Sequence, residues 1–182
     1  MGSTEISDAE VVGAVLDGDV EAYAVLVRRY QDVLYAHAYR MAAGGDEAAD
    51  LVQQALVAGY QRLSTCREPA RVGGWLFRIL SNLCRDHLRN RRRHEISLEV
   101  VPSIPSTDEG PDGAARRDEL GARLRSALDR LEGDQREAFL LKHLEGRRYE
   151  EMSELLGVSV PALKMRVHRA RDELRELLED YR

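Results

Sequence analysis

The chain has 182 residues, which is enough for one ordinary domain or two small ones. Its 43% of hydrophobic residues argues against disorder throughout, and its 5% of aromatic residues favours helices over a β-sandwich or barrel. The formal net charge of −5 hides a basic segment, because residues 62–93 contain nine arginines and two acids. That segment is the first candidate for contact with phosphates.

Several classes of protein can be set aside from the sequence. No apolar run reaches the roughly 20 residues of a membrane span, and the N-terminus lacks the basic and apolar regions of a signal peptide. Cys66 and Cys84 match neither a metal-ligand nor a redox spacing. No nucleophile with its base and no phosphate-binding glycine loop is recognisable. We therefore expect a cytoplasmic protein that is not an enzyme, is not inserted in a membrane and uses no metal or cofactor.

The N-terminal segment predicts two consecutive helices. Ser7 and Glu10 have the spacing of a capping box, in which each side chain accepts from the other's backbone N–H, and this first helix ends near Gly18. Asp19 opens a longer helix, which Gly44 and its neighbour close. The apolar residues that recur at helical spacing along this second helix are Tyr23, Leu26, Val27, Tyr30, Leu34 and Met41.

Two further helices follow. Asp46 can cap a third helix, and a break around Pro69 and Gly73–Gly74 precedes a fourth that runs to about Arg93. The inner face predicted for the third helix consists of Ala48, Leu51, Val52, Ala55, Leu56 and Leu63. The inner face predicted for the fourth consists of Trp75, Leu76, Ile79, Leu80 and Leu83.

The opposite face of the fourth helix carries a basic stripe. At about 100° per residue, its members are Arg78, Asn82, Arg85, Arg89 and Arg92. An ordinary solvated face would carry lysines and pairing acids, whereas this stripe has no lysine and almost no acids. Arginine binds phosphates with a planar fork and stacks on bases, so the stripe favours contact with single-stranded DNA.

Helical periodicity disappears between about residues 94 and 115. Three of the five prolines, Pro102, Pro105 and Pro111, fall in this stretch together with several glycines and serines. This composition predicts a solvated linker between two helical domains. Periodicity resumes at Leu120, and the spacing of Asp134 and Glu137 suggests another capping box.

Residues 149–171 have the pattern of a helix-turn-helix. A short helix with Met152, Leu155 and Leu156 inward is followed by a turn at Gly157 and by Ser159 as an N-cap. The buried stripe predicted for the second helix is Leu163, Val167, Ala170, Leu174 and Leu177. The residues predicted to face outward, and thus to be free to enter a major groove, are Pro161, Lys164, Met165, His168 and Arg169.

Together these strings resemble the extracytoplasmic-function group of the sigma-70 family. The resemblance is carried by residues 19–30 (DVEAYAVLVRRY), 50–54 (DLVQQ), 74–89 (GWLFRILSNLCRDHLR) and 149–171. It implies an all-α fold of two small helical domains joined by a flexible linker. Region 2 of the family would comprise residues 1–94, the linker residues 95–115, and the helix-turn-helix of region 4 residues 116–182.

The resemblance also implies a role for particular residues. Binding to bacterial core RNA polymerase is implied for Asp50, Gln53 and Gln54. Recognition and melting of the single-stranded minus-10 element are implied for Cys66, Arg71, Arg78, Asn82, Arg85, Arg89 and Arg92. Recognition of the double-stranded minus-35 element is implied for Lys164, Met165, Arg166, His168, Arg169 and Arg171. An anti-sigma factor is the further partner that the resemblance implies.

Two other interpretations of the same patterns stay open at this point. An autonomous helix-turn-helix regulator would bind duplex DNA without polymerase, but it leaves the N-terminal half unexplained. A sigma mimic would sequester an anti-sigma factor without touching DNA, but it has no need of the arginine stripe. Specific binding of duplex DNA by the isolated chain distinguishes the first interpretation from a sigma factor, and transcription with core polymerase distinguishes the second.

Overall fold

The computed structural model describes residues 6–42, 44–97 and 112–179, and within these it gives side chains for 6–42, 44–94 and 121–179. The prediction of an all-α fold is confirmed, since no strand occurs in the described ranges. Most of the predicted linker, residues 98–111, lies outside them. The α-helices are α1 (Asp8–Leu16), α2 (Tyr23–Ala42), α3 (Gly45–Gln61), α4 (Val72–Ser97), α5 (Asp112–Arg130), α6 (Gly133–His143), α7 (Tyr149–Leu156) and α8 (Val160–Glu179).

Helices α1 to α4 form an N-terminal unit in which α2, α3 and α4 pack against one another. Leu26, Leu34, Leu76 and Leu80 are fully buried at the centre of this unit. The Tyr23 hydroxyl donates to the backbone carbonyl of Leu56 at 2.7 Å and so ties α2 to α3. The amphipathic periodicity of these helices therefore produces a core shared by α2, α3 and α4.

The predicted capping box of α1 is confirmed. The Ser7 side chain accepts from the backbone N–H of Glu10, and the Glu10 carboxylate accepts from the backbone N–H of Ser7 at 2.8 Å. These bonds satisfy two of the donors that the start of a helix leaves unpaired. The Ser7 hydroxyl, which donates to the Glu10 carboxylate at 2.6 Å, and the Ser7 backbone N–H together hold the pKa of Glu10 below its usual value. The local sequence alone determines this helix start.

Other helix starts differ from the prediction. Asp19 caps a short 3₁₀ turn, Val20–Ala22, and α2 begins only at Tyr23. The N-cap of α3 is Gly44, and the predicted cap Asp46 lies inside the first turn, where its charge interacts favourably with the helix dipole.

The predicted break before α4 occurs at Pro69, which begins a short 3₁₀ turn, but its predicted extension to Gly73–Gly74 is wrong, because α4 begins at Val72 and runs through both glycines. A Cβ atom at Gly73 would clash with the ring of Tyr30. The glycine thus serves the close approach of α2 and α4, at the cost of some helix propensity.

Helices α5 to α8 form a C-terminal unit that ends in the predicted helix-turn-helix. Gly157 adopts the left-handed conformation after α7 with φ +70°, as expected of a glycine that ends a helix. The backbone carbonyl of Ser159 accepts the first hydrogen bond of α8. All five residues of the predicted inner stripe are buried, namely Leu163, Val167, Ala170, Leu174 and Leu177.

The two units pack directly on each other. Helix α4 contacts α6 and α7, α2 contacts α6, and buried residues of both units form a continuous hydrophobic core. The buried polar residues of the described chain, His37, Ser81, Arg136 and Glu137, include three that join one unit to the other. The flexible connection that the sequence suggests is thus accompanied by an extensive contact that the sequence did not predict.

The predicted capping box at Asp134 and Glu137 is wrong. The N-cap of α6 is Glu132, which makes no side-chain cap. Asp134 instead accepts from Arg85 of α4 at 2.7 Å, and the fully buried Glu137 contacts His37 of α2. The same three-residue spacing that suits a cap also places two carboxylates on one face of the helix, and interhelical cations bind them.

Candidate nucleic-acid interface

The basic stripe of α4 lies beside its buried face and not opposite it as predicted, and its members Arg85 and Arg92 are half-buried against the C-terminal unit. Of the predicted inner face, Leu76 and Leu80 are buried, whereas Trp75, Ile79 and Leu83 are only half-buried. The buried face is shifted around the helix, and it also contains Phe77, Cys84 and Leu88. On the stripe, the exposed residues are Arg78, Asn82 and Arg89, and the half-buried ones are Arg85 and Arg92. Helical geometry thus places all five along one line that runs from the first turns of α4 towards its end.

The expectation that the stripe has almost no acids to pair with is wrong. Arg85 donates to Asp134 at 2.7 Å, and its Nη1 atom lies 3.8 Å from the Oε2 atom of Glu137. Arg92 donates to the backbone carbonyls of Asp129 and Leu131. These acceptors belong to the C-terminal unit, so a sequence window around α4 does not contain them.

A cleft of about 870 Å³ lies at the beginning of α4. Residues of both units line it, and those implied for minus-10 recognition among them are Cys66, Arg71, Arg78 and Asn82. Trp75 is half-buried in its wall rather than fully in the core. The structure therefore brings four of the seven predicted residues to one concave site, while Arg85, Arg89 and Arg92 extend along the helix away from it.

Cys66 differs from its companions because its side chain faces inward. It is 8% exposed, and its thiol donates to the backbone carbonyl of Glu68 at 3.6 Å. Burial raises the pKa of the Cys66 thiol above its ordinary value. The residue thus lines the cleft as a neutral thiol, and the exposed Arg71 lines the same cleft.

The outward face of α8 is exposed as predicted. The exposed residues of the implied minus-35 set are Lys164, Met165, His168, Arg169 and Arg171. Met165 is 53% exposed, which is unusual for a large apolar side chain. His168 lies 2.7 Å from Asp172 one turn further along the helix. The helix thus offers a contiguous polar and basic face, supported by the buried leucine and valine stripe beneath it.

Arg166 does not share that face. It is half-buried, and its Nη2 atom lies 2.7 Å from the Oδ2 atom of Asp134, the same carboxylate that binds Arg85. Arg166 therefore pairs with a carboxylate of α6 within its own unit.

The residues implied for polymerase binding lie together on α3. Asp50, Gln53 and Gln54 are all exposed. Beside them, α2 and α3 form a groove of about 860 Å³ that is mainly apolar. Its lining includes the exposed Val20, Tyr35, Val57 and Tyr60 together with Gln53. Exposed apolar side chains gathered beside polar ones in one groove are typical of a surface that binds another protein.

A buried histidine at the contact of the two units escaped the sequence analysis. His37 is 1% exposed, with Nε2 3.3 Å from Glu137 Oε1 and Nδ1 3.3 Å from Glu145 Oε1. Arg40 donates to the same oxygen of Glu145 at 3.0 Å. The sequence did contain a signal for this site, since the histidine lies within the apolar stripe of α2, between Leu34 and Met41. A polar side chain buried in such a stripe requires a hydrogen-bond partner.

The charges around His37 determine its protonation. Burial by itself lowers the pKa of His37, but its hydrogen bonds and attraction to Glu137 and Glu145 outweigh burial and raise that pKa above its ordinary value of 6.5. Burial likewise tends to raise the pKa of Glu145, and His37, Arg40 and Arg147 together lower it. The cluster therefore favours an imidazolium between two carboxylates.

In the part of the chain that the structure describes, no cluster of histidine, cysteine, aspartate and glutamate has the arrangement of a metal site. Among the same residues, no helix combines the length and hydrophobicity that crossing a bilayer requires. The surfaces that stand out are instead the arginine stripe with its cleft, the outward face of α8 and the apolar groove of α2 and α3.

Comparison with known proteins gives a consistent result over both units. The family model for Sigma-70 region 2 matches residues 26–94, and that for Sigma-70 region 4 matches residues 121–174. The chain is 34% identical to ECF RNA polymerase sigma factor SigE of Mycolicibacterium smegmatis, over 96% of this chain and 70% of that protein.

Solved structures agree. The structure of CnrH in complex with the cytosolic domain of CnrY has a TM-score of 0.62 at 28% identity and covers 95% of this chain and 97% of that chain. The sigma factor RpoE in complex with the anti-sigma factor NepR from Bartonella quintana has a TM-score of 0.58 at 28% identity and covers 88% of this chain and 98% of that chain. With two family models in the predicted order and a relative matched over almost the whole chain, this protein belongs to the extracytoplasmic-function sigma factors of the sigma-70 family.

Proposed function

We propose that this chain binds bacterial core RNA polymerase and directs promoter-specific initiation of transcription through minus-10 and minus-35 elements. It contributes specificity and has no catalytic activity of its own. The proposal rests on two exposed helix faces that carry arginine or lysine, one in each of the two packed units. One of these faces lies beside a cleft that can hold a base. Residues 1–94, 95–115 and 116–182 are the region 2, linker and region 4 of this proposal.

The minus-10 element is assigned to the cleft and the stripe of α4. Asn82 and Arg78 line the cleft, and both side chains are exposed. An extruded base stacks and forms hydrogen bonds in such a site, which offsets the cost of removing it from the duplex. Arg85, Arg89 and Arg92 continue the basic surface along the helix and suit the phosphates of the opened strand.

The minus-35 element is assigned to the outward face of α8. Lys164 and Arg169 are exposed there, and a bidentate contact from such a residue to guanine contributes about 1–3 kcal/mol of discrimination. His168 and Met165 complete the face towards base edges, while Arg171 and Arg166 suit flanking phosphates. The buried stripe of α8 holds this face at a fixed angle to α7, as a helix-turn-helix requires.

Core polymerase is assigned to the groove between α2 and α3. The groove supplies an apolar surface, and Asp50, Gln53 and Gln54 supply polar contacts on the exposed side of α3. An interface with an apolar centre and a polar rim is typical of specific protein complexes. The partner surface that fits best is therefore helical, apolar at its centre and able to donate hydrogen bonds at its edge.

An anti-sigma factor is the second protein partner of this proposal. RpoE was solved in complex with the anti-sigma factor NepR, and CnrH in complex with the cytosolic domain of CnrY. The same exposed groove and helix faces are the surfaces that such a partner would have to cover.

A reconstituted transcription assay tests the proposed function. Purified chain and core polymerase are incubated with a library of genomic promoter fragments, and run-off transcripts are sequenced. We expect transcripts that start at defined promoters only when both the chain and the core enzyme are present. Transcription that does not depend on the chain, over the whole library, would contradict the proposal and favour the sigma mimic.

A further inference from the structure

Two lysines lie over one tyrosine ring in the C-terminal unit. The Nζ atom of Lys142, near the end of α6, is 4.7 Å from the ring centroid of Tyr149, and the Nζ atom of Lys164 on α8 is 5.7 Å from it. Both distances are within the roughly 6 Å at which an aromatic face attracts a cation. The chain has 27 lysines and arginines, and only these two are lysines. Every lysine of this protein therefore contacts the same ring.

The three residues connect three helices of the C-terminal unit. Tyr149 is the first residue of α7, and its half-buried ring packs against the hydrophobic core. Lys142 is half-buried and donates to the backbone carbonyl of Arg147 at 3.2 Å. Lys164 is the exposed member of the three. The core and Lys142 thus fix the ring, and Lys164 approaches it from the outward face of α8.

Lys164 differs from its neighbours on α8 in what holds its charge. His168 lies 2.7 Å from Asp172, and Arg166 lies 2.7 Å from Asp134. Among the residues whose side chains the structure describes, no carboxylate forms an ion pair with Lys164, and its partner is the ring. A ring attracts an ammonium without neutralising it and without accepting all of its N–H donors. Lys164 is therefore restrained while its charge and donors stay available to DNA.

Restraint matters for a lysine because its side chain is a compact charge on a long, flexible stem. Ordering such a stem on binding costs conformational entropy, and a side chain that is already held loses less of it. A freely rotating ammonium can also reach phosphates and several neighbouring bases in turn. Holding it in one region therefore increases both its affinity and its selectivity for one base pair.

From these contacts we propose that Tyr149 is a positioning residue for minus-35 recognition, which holds the Lys164 ammonium where it contacts one base pair of the element. Tyr149 acts through Lys164 and not through its own contact with DNA. An ammonium only donates, so the base that fits has acceptors at its major-groove edge, as guanine has in O6 and N7. This inference rests on the proposed function, because that function assigns Lys164 to the minus-35 element.

Full-length variants separate the contact from the packing of the ring. Tyr149→Leu removes the aromatic face and keeps an apolar side chain against the core, whereas Tyr149→Phe keeps the face and removes the hydroxyl. Each is made in the wild-type chain and in Lys164→Ala. The matched control is Phe139→Leu, because Phe139 is also a half-buried aromatic residue of this unit, and its ring contacts His143. Far-UV circular dichroism shows whether each variant keeps its helices.

NMR spectroscopy of the free chain measures the contact itself. Isotope-labelled lysine gives side-chain signals from two residues only, and Lys164→Ala shows which of them belongs to Lys164. The ring current of an aromatic residue shifts the resonances of groups above its face upfield. We expect upfield-shifted ε-methylene resonances of Lys164 in wild type, Tyr149→Phe and Phe139→Leu, and loss of the shift in Tyr149→Leu.

Transcription with core polymerase measures selectivity. Paired templates carry either the intact minus-35 element or one replaced base pair, with each position replaced in turn. The position at which Lys164→Ala loses the preference for the intact template is the base pair that Lys164 contacts. Tyr149→Leu should lower the preference at that position alone by about two- to fivefold, as expected of one cation–π contact at an exposed site. It should have no further effect in Lys164→Ala, and Tyr149→Phe and Phe139→Leu should keep the wild-type preference.

Three results would overturn the inference. One is a wild-type chain whose lysine resonances are not shifted, and another is a wild-type preference in folded Tyr149→Leu. The third is an equal loss of preference at every position, or one that persists in Lys164→Ala, because a purely structural role of the ring produces that result. Failure of the proposed function is recognised separately. A wild-type chain without promoter-dependent transcription would contradict that function and the role in recognition, while the shifted lysine resonances would still show the contact.

Discussion

Asn82 stands on the exposed side of α4, where its side-chain oxygen accepts a hydrogen bond from Arg85. Arg78 lies one turn earlier and lines the same cleft. Amide and guanidinium groups in this position suit hydrogen bonds with the edge of a base, while the buried face of the helix fixes their direction. Individual side chains on this face therefore have separable effects on DNA opening and on attachment to polymerase.

We expect Asn82→Ala to impair promoter opening more than it impairs binding to core polymerase. Loss of one base contact corresponds to about 1–3 kcal/mol. Permanganate footprinting of thymines in the transcription bubble measures opening, and co-purification with core polymerase measures attachment. Asn90→Ala, an exposed change outside the cleft on the same helix, is the control. Equal opening by the two variants would remove Asn82 from base recognition.

The contact between the two helical units depends on pH through His37. Its raised pKa means that its contribution is complete below its ordinary value of 6.5 and is lost as pH rises through the raised value. Glu145 has a lowered pKa, so its contribution is present above 4.5 and is lost as pH falls through the lowered value. The other charged groups that face this cluster are Arg40 and Arg147 beside Glu145, and Arg85 beside Glu137.

The radius of gyration of the wild-type chain should therefore be smallest between about pH 4.5 and 6.5 and should increase as the pH rises above that window. His37→Gln can still accept or donate one hydrogen bond but does not titrate, so its radius should not respond in the alkaline part of the range. A titration followed by scattering at constant ionic strength checks this. An identical profile for wild type and His37→Gln would show that another group controls the response.

At the scale of elements, α3 and α8 carry different functions on exposed faces that are built alike. Each helix has a buried apolar stripe, and the residues proposed to bind a partner lie on its exposed side. The exposed side of α3 borders the apolar groove and also carries polar residues, which suits a protein partner. The exposed side of α8 is polar and basic, which suits the major groove of DNA. Substitutions on one face should therefore leave the function of the other intact.

The outward face of α8 can be tested by Lys164→Ala/His168→Ala/Arg169→Ala. These changes leave the buried stripe unaltered, so the fold and core binding should survive. Selectivity for an intact over a scrambled minus-35 element should fall by the equivalent of one or two base contacts, each about 1–3 kcal/mol. Transcription from paired templates gives this ratio. A wild-type ratio in the triple variant would mean that another face contacts the element.

The groove of α2 and α3 can be tested by Val57→Asp. Val57 is 49% exposed in the free chain, so the variant should fold normally. A carboxylate buried against a polymerase surface without a partner should weaken core binding by about tenfold or more. Leu144→Asp, the same type of change at a residue that is 55% exposed in the C-terminal unit, is the control. Equal core affinity of both variants, measured by titration with labelled polymerase, would place the docking surface elsewhere.

At the scale of the whole molecule, DNA recognition is divided between two small units. Each unit offers only a few contacts, and joining them increases affinity only when both are held at the correct spacing. In the free chain the two units instead pack on each other, and Arg85–Asp134 and His37–Glu137 are among the contacts between them. Core polymerase is the component that can supply the spacing.

We therefore expect negligible specific binding of promoter duplex by the free chain, and strong binding by its complex with core polymerase. Fluorescence anisotropy with labelled promoter and scrambled duplexes at one salt concentration measures both, because affinity for DNA depends steeply on salt. Tight, sequence-specific binding by the isolated chain would favour the autonomous helix-turn-helix regulator.

The sequence by itself determined the features that depend on neighbouring residues. The Ser7 and Glu10 cap, the left-handed Gly157 and the buried stripe from Leu163 to Leu177 follow from spacings of a few residues within one helix. The same holds for the basic stripe of α4, whose exposed side is fixed by the apolar residues between its arginines. Local periodicity was sufficient for the fold class and for the two helices proposed to read DNA.

Only the tertiary structure decided what those helices contact in the free chain. His37 and Glu137 are 100 residues apart, and Arg85 and Asp134 are 49 apart, so no local spacing links them. The spacing of Asp134 and Glu137 fits a capping box equally well, and it became an interhelical pair because α4 and α2 bring cations to that side of α6. Charges pair across a contact only where two surfaces meet. The apolar residues that both units contribute to one continuous core determine which surfaces meet here.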